Sequence, residues 1–113
     1  RRFVLVAFIA VALLLSPATP ADLQSCVNQC IAQFENDRVE CLGDYQTCLQ
    51  SVASEFAVCM DAAGDDLIAQ FGCFQTSNAQ QVNCERDADR CQAVANTVAY
   101  DCYRTCQSSW LNP

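Results

Sequence analysis

The polar and apolar positions of this chain repeat with the period of an α-helix, and cysteines mark one side of that period. Successive cysteines are separated by 4, 11, 7, 11, 14, 11, 7, 11 and 4 residues. Steps of 4, 7 and 11 return a helical residue to nearly the same side, at 3.6 residues per turn. The pattern therefore predicts two helices, each with a cysteine stripe roughly 60° wide, over residues 26–59 and 73–106.

The list of cysteine spacings reads the same in both directions. Pairing the first cysteine with the last, and so inward, gives five pairs that share one centre at Asp66. Although ten cysteines allow about 945 pairings, two antiparallel helices with facing stripes select this one. Neighbours within one stripe are excluded, because their Cβ vectors lie side by side. The predicted bonds are Cys26–Cys106, Cys30–Cys102, Cys41–Cys91, Cys48–Cys84 and Cys59–Cys73.

The predicted fold class is all-α, a long antiparallel hairpin of two helices stapled by a nested ladder of five disulfides. Gly64 suits the left-handed position after a helix, and the aspartates that follow it suit the cap of the next helix. The turn is therefore predicted at Gly64-Asp65, and Asp22 is predicted to cap the first helix. Leu23, Ala88, Ala95 and Ala99 are predicted to join the cysteines along the seam between the helices.

The alternative is an arrangement of four shorter helices with the same disulfide pairing. No proline interrupts residues 21–112, which favours two helices of about 40 residues each. Gly43, Gly72 and the segment 76–78 are nevertheless weak helix formers, and breaks there would produce the alternative fold.

Residues 1–21 have the composition of a secretory signal peptide. Two arginines precede 13 apolar residues, Phe3 to Leu15, and a stretch of small residues and prolines ends at Ala21. A membrane anchor is the alternative interpretation, but a spanning helix needs roughly 20 apolar residues. The predicted domains are a signal peptide over 1–21 and a disulfide-rich helical hairpin over 22–113.

The composition predicts a secreted, extracellular protein. Ten cysteines at this density are typical of a disulfide scaffold in an oxidising compartment. From residue 22 onward, four arginines stand against 13 acidic residues, a net charge of −9. So acidic a chain is expected to bind neither nucleic acid nor anionic membranes.

The first helix carries more apolar surface than the cysteine seam uses. Six apolar residues lie about 100–160° from Cys26 on a helical wheel, beside the cysteine stripe. We call them the apolar strip: Ile31, Leu42, Tyr45, Leu49, Phe56 and Met60. Phe71, Phe74, Tyr103 and Trp110 occupy a similar sector of the second helix. Such a strip is typical of a contact surface, unless the rod twists and the rings fold over the seam.

Residues for catalysis or metal binding are sparse, so the chain is predicted to be no enzyme and to hold no cofactor and no metal. It contains no histidine, which is the usual general base and the commonest metal ligand. The carboxylates of segment 84–91 alternate with arginines, a pattern typical of a solvated helix face with pairs such as Asp87–Arg90. The aspartates at the turn are explained by helix capping, and the cysteines by oxidation to disulfides.

The outermost cysteines form two Cys-x3-Cys pairs, Cys26/Cys30 and Cys102/Cys106. In layout they resemble the motifs of the plant α-hairpinins and of the small mitochondrial Tim chaperones, which are helical hairpins. The resemblance covers these four residues, whereas the three inner disulfides, the longer helices and the acidic charge differ from both groups. It implies a hairpin and no particular activity.

The leading functional hypothesis is a secreted, non-enzymatic interaction or structural protein that presents its apolar strip to a protein partner or to a second copy. A small carrier of lipid or another apolar ligand is the first alternative. The second is a protease inhibitor or toxin-like effector that uses the turn region, Ala63 to Phe71.

Overall fold

The computed structural model describes residues 20–111, which form a hairpin of two long helices. Helix α1 spans Pro20–Ala63 and helix α2 spans Leu67–Leu111. The hairpin measures 78 × 24 × 15 Å and has a radius of gyration of 24.1 Å, well above the ~13 Å of a compact 100-residue domain. The predicted hairpin is confirmed. Residues 1–19, which hold most of the predicted signal peptide, lie outside the described part of the chain.

All five predicted disulfides are present, and they join α1 to α2 along the whole rod. The paired Cα atoms are 5.7–5.8 Å apart at every level. The two helix axes therefore stay about 10 Å apart over their common length. Bonds of this kind are consistent with a secreted or extracellular protein.

Each disulfide contributes one buried cysteine to the interior, and its bonded partner is half-buried. The buried cysteines are Cys30, Cys41, Cys73, Cys84 and Cys106. The other buried residues are Val52 and Ala95, and each lies within one of the wide 11-residue gaps between disulfides. Leu23, Ala88 and Ala99 are half-buried, as expected for residues that border the seam. The burial of Val52 was not predicted.

The turn has the predicted chemistry. Gly64 adopts a φ of 55°, which is the left-handed conformation that costs glycine little. The Oδ1 atom of Asp66 accepts hydrogen bonds from the backbone N–H groups of Ile68 and Ala69 at 3.0 and 3.2 Å. Asp66 therefore caps α2, and the side-chain amide of Gln70 fixes the loop by donating to the Gly64 carbonyl at 2.6 Å.

The structure places Asp22, which was predicted to cap the first helix, inside the first turn of α1. Pro20 is the first helical residue within the described range, and its fixed φ and missing N–H are tolerated in the first turn of a helix. Asp22 lies within the first turn, where a negative charge still interacts favourably with the helix dipole.

Both helices continue through the positions that could have broken them, so the four-helix alternative is not favoured. Gly43, Gly72 and segment 76–78 are helical. Disulfides anchor the flanking turns on both sides of Gly43, at Cys41 and Cys48. Because tertiary links of this kind outweigh intrinsic propensity, the weak helix formers are tolerated.

Candidate interaction surface

The apolar strip lies along one side of α1, and its members are only partly covered. Ile31 and Leu42 are 53% and 56% exposed. Tyr45, Leu49, Phe56 and Met60 are half-buried. The strip is thus intermediate between the two predicted arrangements: four members are half-buried, and Ile31 and Leu42 are a little more than half exposed.

The aromatic residues of α2 lie on the same side of the rod as the apolar strip. The rings of Phe56 and Phe74 pack against each other across the two helices, with centroids 5.1 Å apart and planes tilted by 53°. In an antiparallel pair, residues at the same angle from the cysteine stripe of their own helix lie on the same side of the hairpin. The contact between Phe56 and Phe74 therefore places the whole aromatic sector of α2 on the side of the apolar strip. We call this side the aromatic face; it carries the apolar strip with Phe71, Phe74, Tyr103 and Trp110.

The aromatic face is most apolar at its closed end, next to the turn. Leu67, Phe71 and Phe74 are 76%, 62% and 56% exposed there, beside the half-buried Phe56 and Met60. At 1.5 Å per residue, these five side chains lie within roughly 14 Å along the rod. Leu67 belongs to this cluster, although it was not among the predicted surface residues.

In the middle of the aromatic face the two helices differ. Leu42 and Tyr45 of α1 face Ala88 and Gln92 of α2 across a groove of about 370 Å³. The equivalent sector of α2 is polar throughout its central part, where it carries Asn78, Gln81, Glu85, Asp89, Gln92 and Asn96. The apolar surface is therefore continuous on α1 and interrupted on α2.

One charged residue lies within the apolar sector of α1, and its neighbours neutralise it. The Arg38 guanidinium lies over the Phe34 ring, 5.8 Å from its centroid, and pairs with Glu35 at 3.1 Å. Because the guanidinium stacks on the ring and its charge is paired, Arg38 does not interrupt the apolar surface of α1. Phe34 lies between Ile31 and Leu42 and fills that gap in the strip; it falls just outside the sector of about 100–160° from Cys26 that defines the strip.

The opposite side of the hairpin is acidic, and we call it the acidic face. Its groove, of about 510 Å³, is lined by Asp37, Glu40, Asp87 and Arg90 together with apolar residues. Asp87 and Arg90 form the predicted pair at 3.7 Å, with both side chains about 70% exposed. This confirms the interpretation of these carboxylates as a solvated helix face.

One group of potential metal ligands comes together at the open end of the rod. The sulfur atoms of Cys30, Cys102 and Cys106 lie within 4.8 Å of one another. All three belong to disulfides, and a disulfide sulfur is not the thiolate that binds zinc. In the bonded form described, these sulfurs therefore offer no metal site.

Within residues 20–111, neither helix has a stretch apolar enough to cross a membrane. Comparison of the chain with protein-family models, with curated proteins and with solved structures gives no match. Inference about function therefore rests on the surface chemistry of the hairpin itself.

Proposed function

We propose that this chain is a secreted, non-enzymatic interaction protein whose aromatic face is covered by a second copy of itself. The supporting observation is the apolar strip, which runs along α1 with Ile31 and Leu42 more than half exposed. Residues 20–111 form two helices, and no third element within this range covers the face. Contiguous exposed apolar surface of this kind is typical of an interface.

A second copy that runs antiparallel to the first places the apolar residues of its own strip against the apolar residues of the first strip. With Tyr45 placed opposite itself, Leu42 lies opposite Leu49 and Ile31 lies opposite Met60, at nearly equal heights. Phe34 likewise lies opposite Phe56. Such an arrangement is isologous, as expected for a twofold homodimer.

The exposed aromatic rings supply a substantial part of the area of a specific contact. An aromatic side chain can bury about 150–250 Å². Phe71, Phe74 and Tyr103 are 62%, 56% and 50% exposed, so these three rings alone offer roughly 250–400 Å². The aliphatic residues of the strip add to this area, which brings the face toward the ~800 Å² per partner of a standard interface.

Charge favours the aromatic face over the acidic face for self-association. Residues 22–113 carry a net charge of −9 in each copy, so two copies repel one another at any contact between acidic surfaces. In the proposed dimer, the groove with Asp37, Glu40 and Asp87 stays on the outside. The strip itself places Arg38 at the contact, already paired with Glu35.

Sedimentation velocity of the oxidised protein over a range of concentrations tests the proposal. We expect a reversible dimer for the wild type. The variant Leu42→Glu places one charge per copy in the interface and is expected to weaken the dimer by about 100-fold, which corresponds to about 3 kcal/mol. The matched control Val58→Glu changes a residue of α1 that is 70% exposed and lies on the acidic face, so it should leave dimerisation intact.

A wild type that stays monomeric throughout, or two variants that weaken the dimer equally, would contradict the proposal. Native mass spectrometry of the same sample distinguishes the lipid alternative. A bound lipid on a monomeric protein would identify a carrier instead of a dimer.

A further inference from the structure

The two disulfides at the open end are unusually close together. Cys26–Cys106 and Cys30–Cys102 are one helical turn apart, whereas the other neighbouring pairs are separated by 7 or 11 residues, or roughly 10 or 16 Å. Sulfur atoms of different disulfides consequently approach each other here: Cys30 Sγ lies 3.6 Å from Cys106 Sγ. At this distance the two sulfurs are in van der Waals contact, and no other atom lies between them.

The four cysteines of the open end differ in accessibility. Cys30 and Cys106 are buried, at 4% and 3% exposure, and Cys26 and Cys102 are half-buried. A small cavity of about 80 Å³ next to Cys26 and Cys106 is lined by Leu23, Ser109 and Trp110 among others. A small reagent can therefore reach the outermost disulfide from solution, and it meets Cys26 first.

We propose that the open end is a thiol–disulfide exchange site for small thiols, in which a thiolate is passed from Cys106 to Cys102. The sulfur of an external thiolate attacks Cys26 Sγ, the Cys26–Cys106 bond breaks, and Cys106 leaves as a thiolate with the electron pair. That thiolate attacks Cys30 Sγ, the Cys30–Cys102 bond breaks, and Cys102 leaves as the thiolate. Both steps are ordinary exchange through a thiolate nucleophile.

The two steps balance. One external thiolate is consumed and one protein thiolate appears, and two disulfides are present before and after, so no oxidant or reductant is needed. The products are a mixed disulfide on Cys26, a Cys30–Cys106 bond and a thiolate on Cys102. The exchange moves the reactive sulfur from a buried position to a half-buried one, where it can meet a second reagent.

The second step requires the sulfur of Cys106 to approach and to reorient. The sulfurs of Cys30, Cys102 and Cys106 lie within 4.8 Å of one another, so the Cys106 sulfur must swing into line with the Cys30–Cys102 bond before it can displace Cys102. The Cys30 and Cys106 sulfurs must close from 3.6 Å to the ~2.05 Å of a disulfide bond. Once Cys26–Cys106 is open, no disulfide lies beyond Cys30–Cys102 to hold the last turns of α2. The ends of both helices are then free to shift, and the attack is intramolecular with reactants already close together.

The variant Cys26→Ser tests this step without any added thiol, because it leaves Cys106 as the only thiol. The folded variant is treated with a maleimide, unfolded in acid and mapped by non-reducing peptide mass spectrometry. We expect at least about a tenth of the label on Cys102, together with a Cys30–Cys106 cross-link, because the maleimide traps the exchanged thiol. Label on Cys106 alone overturns the proposal.

The matched control is Cys59→Ser, which leaves Cys73 as the lone thiol at the closed end. The nearest disulfide, Cys48–Cys84, lies 11 residues away on both helices, roughly 16 Å along the rod. The label is therefore expected on Cys73 alone, and equal scrambling in both variants would contradict a special role for the open end. Incubation of the wild type with glutathione gives the direct result: glutathione on Cys26 with a free thiol at Cys102 supports the exchange, and glutathione on Cys102 overturns it.

Discussion

The two helices of the hairpin have mirror-related cysteine spacings but different outer surfaces. On the aromatic face, the middle of α1 presents Leu42, Tyr45 and Leu49, whereas the middle of α2 presents polar residues such as Glu85 and Asp89. The same two disulfides, Cys41–Cys91 and Cys48–Cys84, hold the middle of both helices at the seam. Their difference therefore does not arise from the needs of the fold.

This difference indicates which helix makes the contact in the proposed dimer. Residues that face the seam are constrained by disulfide geometry on both helices. A surface residue is free of that constraint, and a continuous apolar surface on one helix alone points to a contact made by that helix. We accordingly assign the centre of the dimer contact to α1. The terminal rings of α2 contribute at its two ends, and the polar centre of α2 lies at its rim.

The largest effect is expected from a matched pair of substitutions at one height of the rod. Leu49 of α1 and Gln81 of α2 lie within about 3 Å of each other along the axis. Leu49→Glu is expected to weaken the dimer by about 100-fold, because a charge enters the apolar contact. Gln81→Glu introduces the same charge at the rim and is expected to change the dissociation constant by less than about threefold. Sedimentation equilibrium measures both, and similar losses would mean that α1 has no special role.

A smaller effect, in the opposite direction, is expected from neutralising the polar centre of α2. Glu85 and Asp89 lie near the middle of the proposed dimer, so the carboxylates of one copy approach those of the other. The double variant Glu85→Gln/Asp89→Asn should tighten the dimer by about tenfold, or about 1.4 kcal/mol. Glu40→Gln/Asp101→Asn removes the same charge elsewhere and serves as the control. A control that tightens the dimer equally would show that net charge alone matters.

The smallest effect concerns stability and tests whether both helices are continuous. A Cβ atom added at Gly43 of α1 or Gly72 of α2 meets no atom within 4 Å. Alanine at either position is therefore expected to stabilise the oxidised protein by about 0.5–1 kcal/mol, which raises the melting temperature by a few degrees. Gly64→Ala is expected to do the reverse, because its φ of 55° costs an alanine about 1–2 kcal/mol. Thermal unfolding followed by circular dichroism measures all three, and a loss of stability at Gly43 or Gly72 would indicate a break in that helix.

The sequence was sufficient to predict the disulfide ladder and the turn. The symmetric spacing about Asp66 allows one pairing of facing stripes, and Gly64 and Asp66 have chemistry that few other local structures require. The continuity of the helices at Gly43 and Gly72 could not be decided in this way. It depends on the disulfides on both sides of Gly43, at Cys41 and Cys48, and on the one at Cys73 next to Gly72, and local propensity does not include them.

The surface was predictable in part. The direction of the apolar strip follows from helical periodicity, but its exposure depends on how far each side chain leans over the seam. That is why Tyr45 and Phe56 are half-buried while Leu42 is exposed. The contact of Phe56 with Phe74 required the antiparallel register of both helices, and the place of Phe34 beneath Arg38 depends on the conformation of a side chain.

The central claim is that α1 of one copy packs on α1 of another in the opposite direction, with Tyr45 at the centre. The most direct test replaces Tyr45 with the photoreactive analogue benzoylphenylalanine, followed by irradiation and peptide mapping. We expect a cross-linked dimer whose attachment lies between Leu42 and Leu49 of the second copy. Attachment to α2 of the second copy, or no cross-linked dimer at concentrations well above the dissociation constant measured by sedimentation, would contradict it.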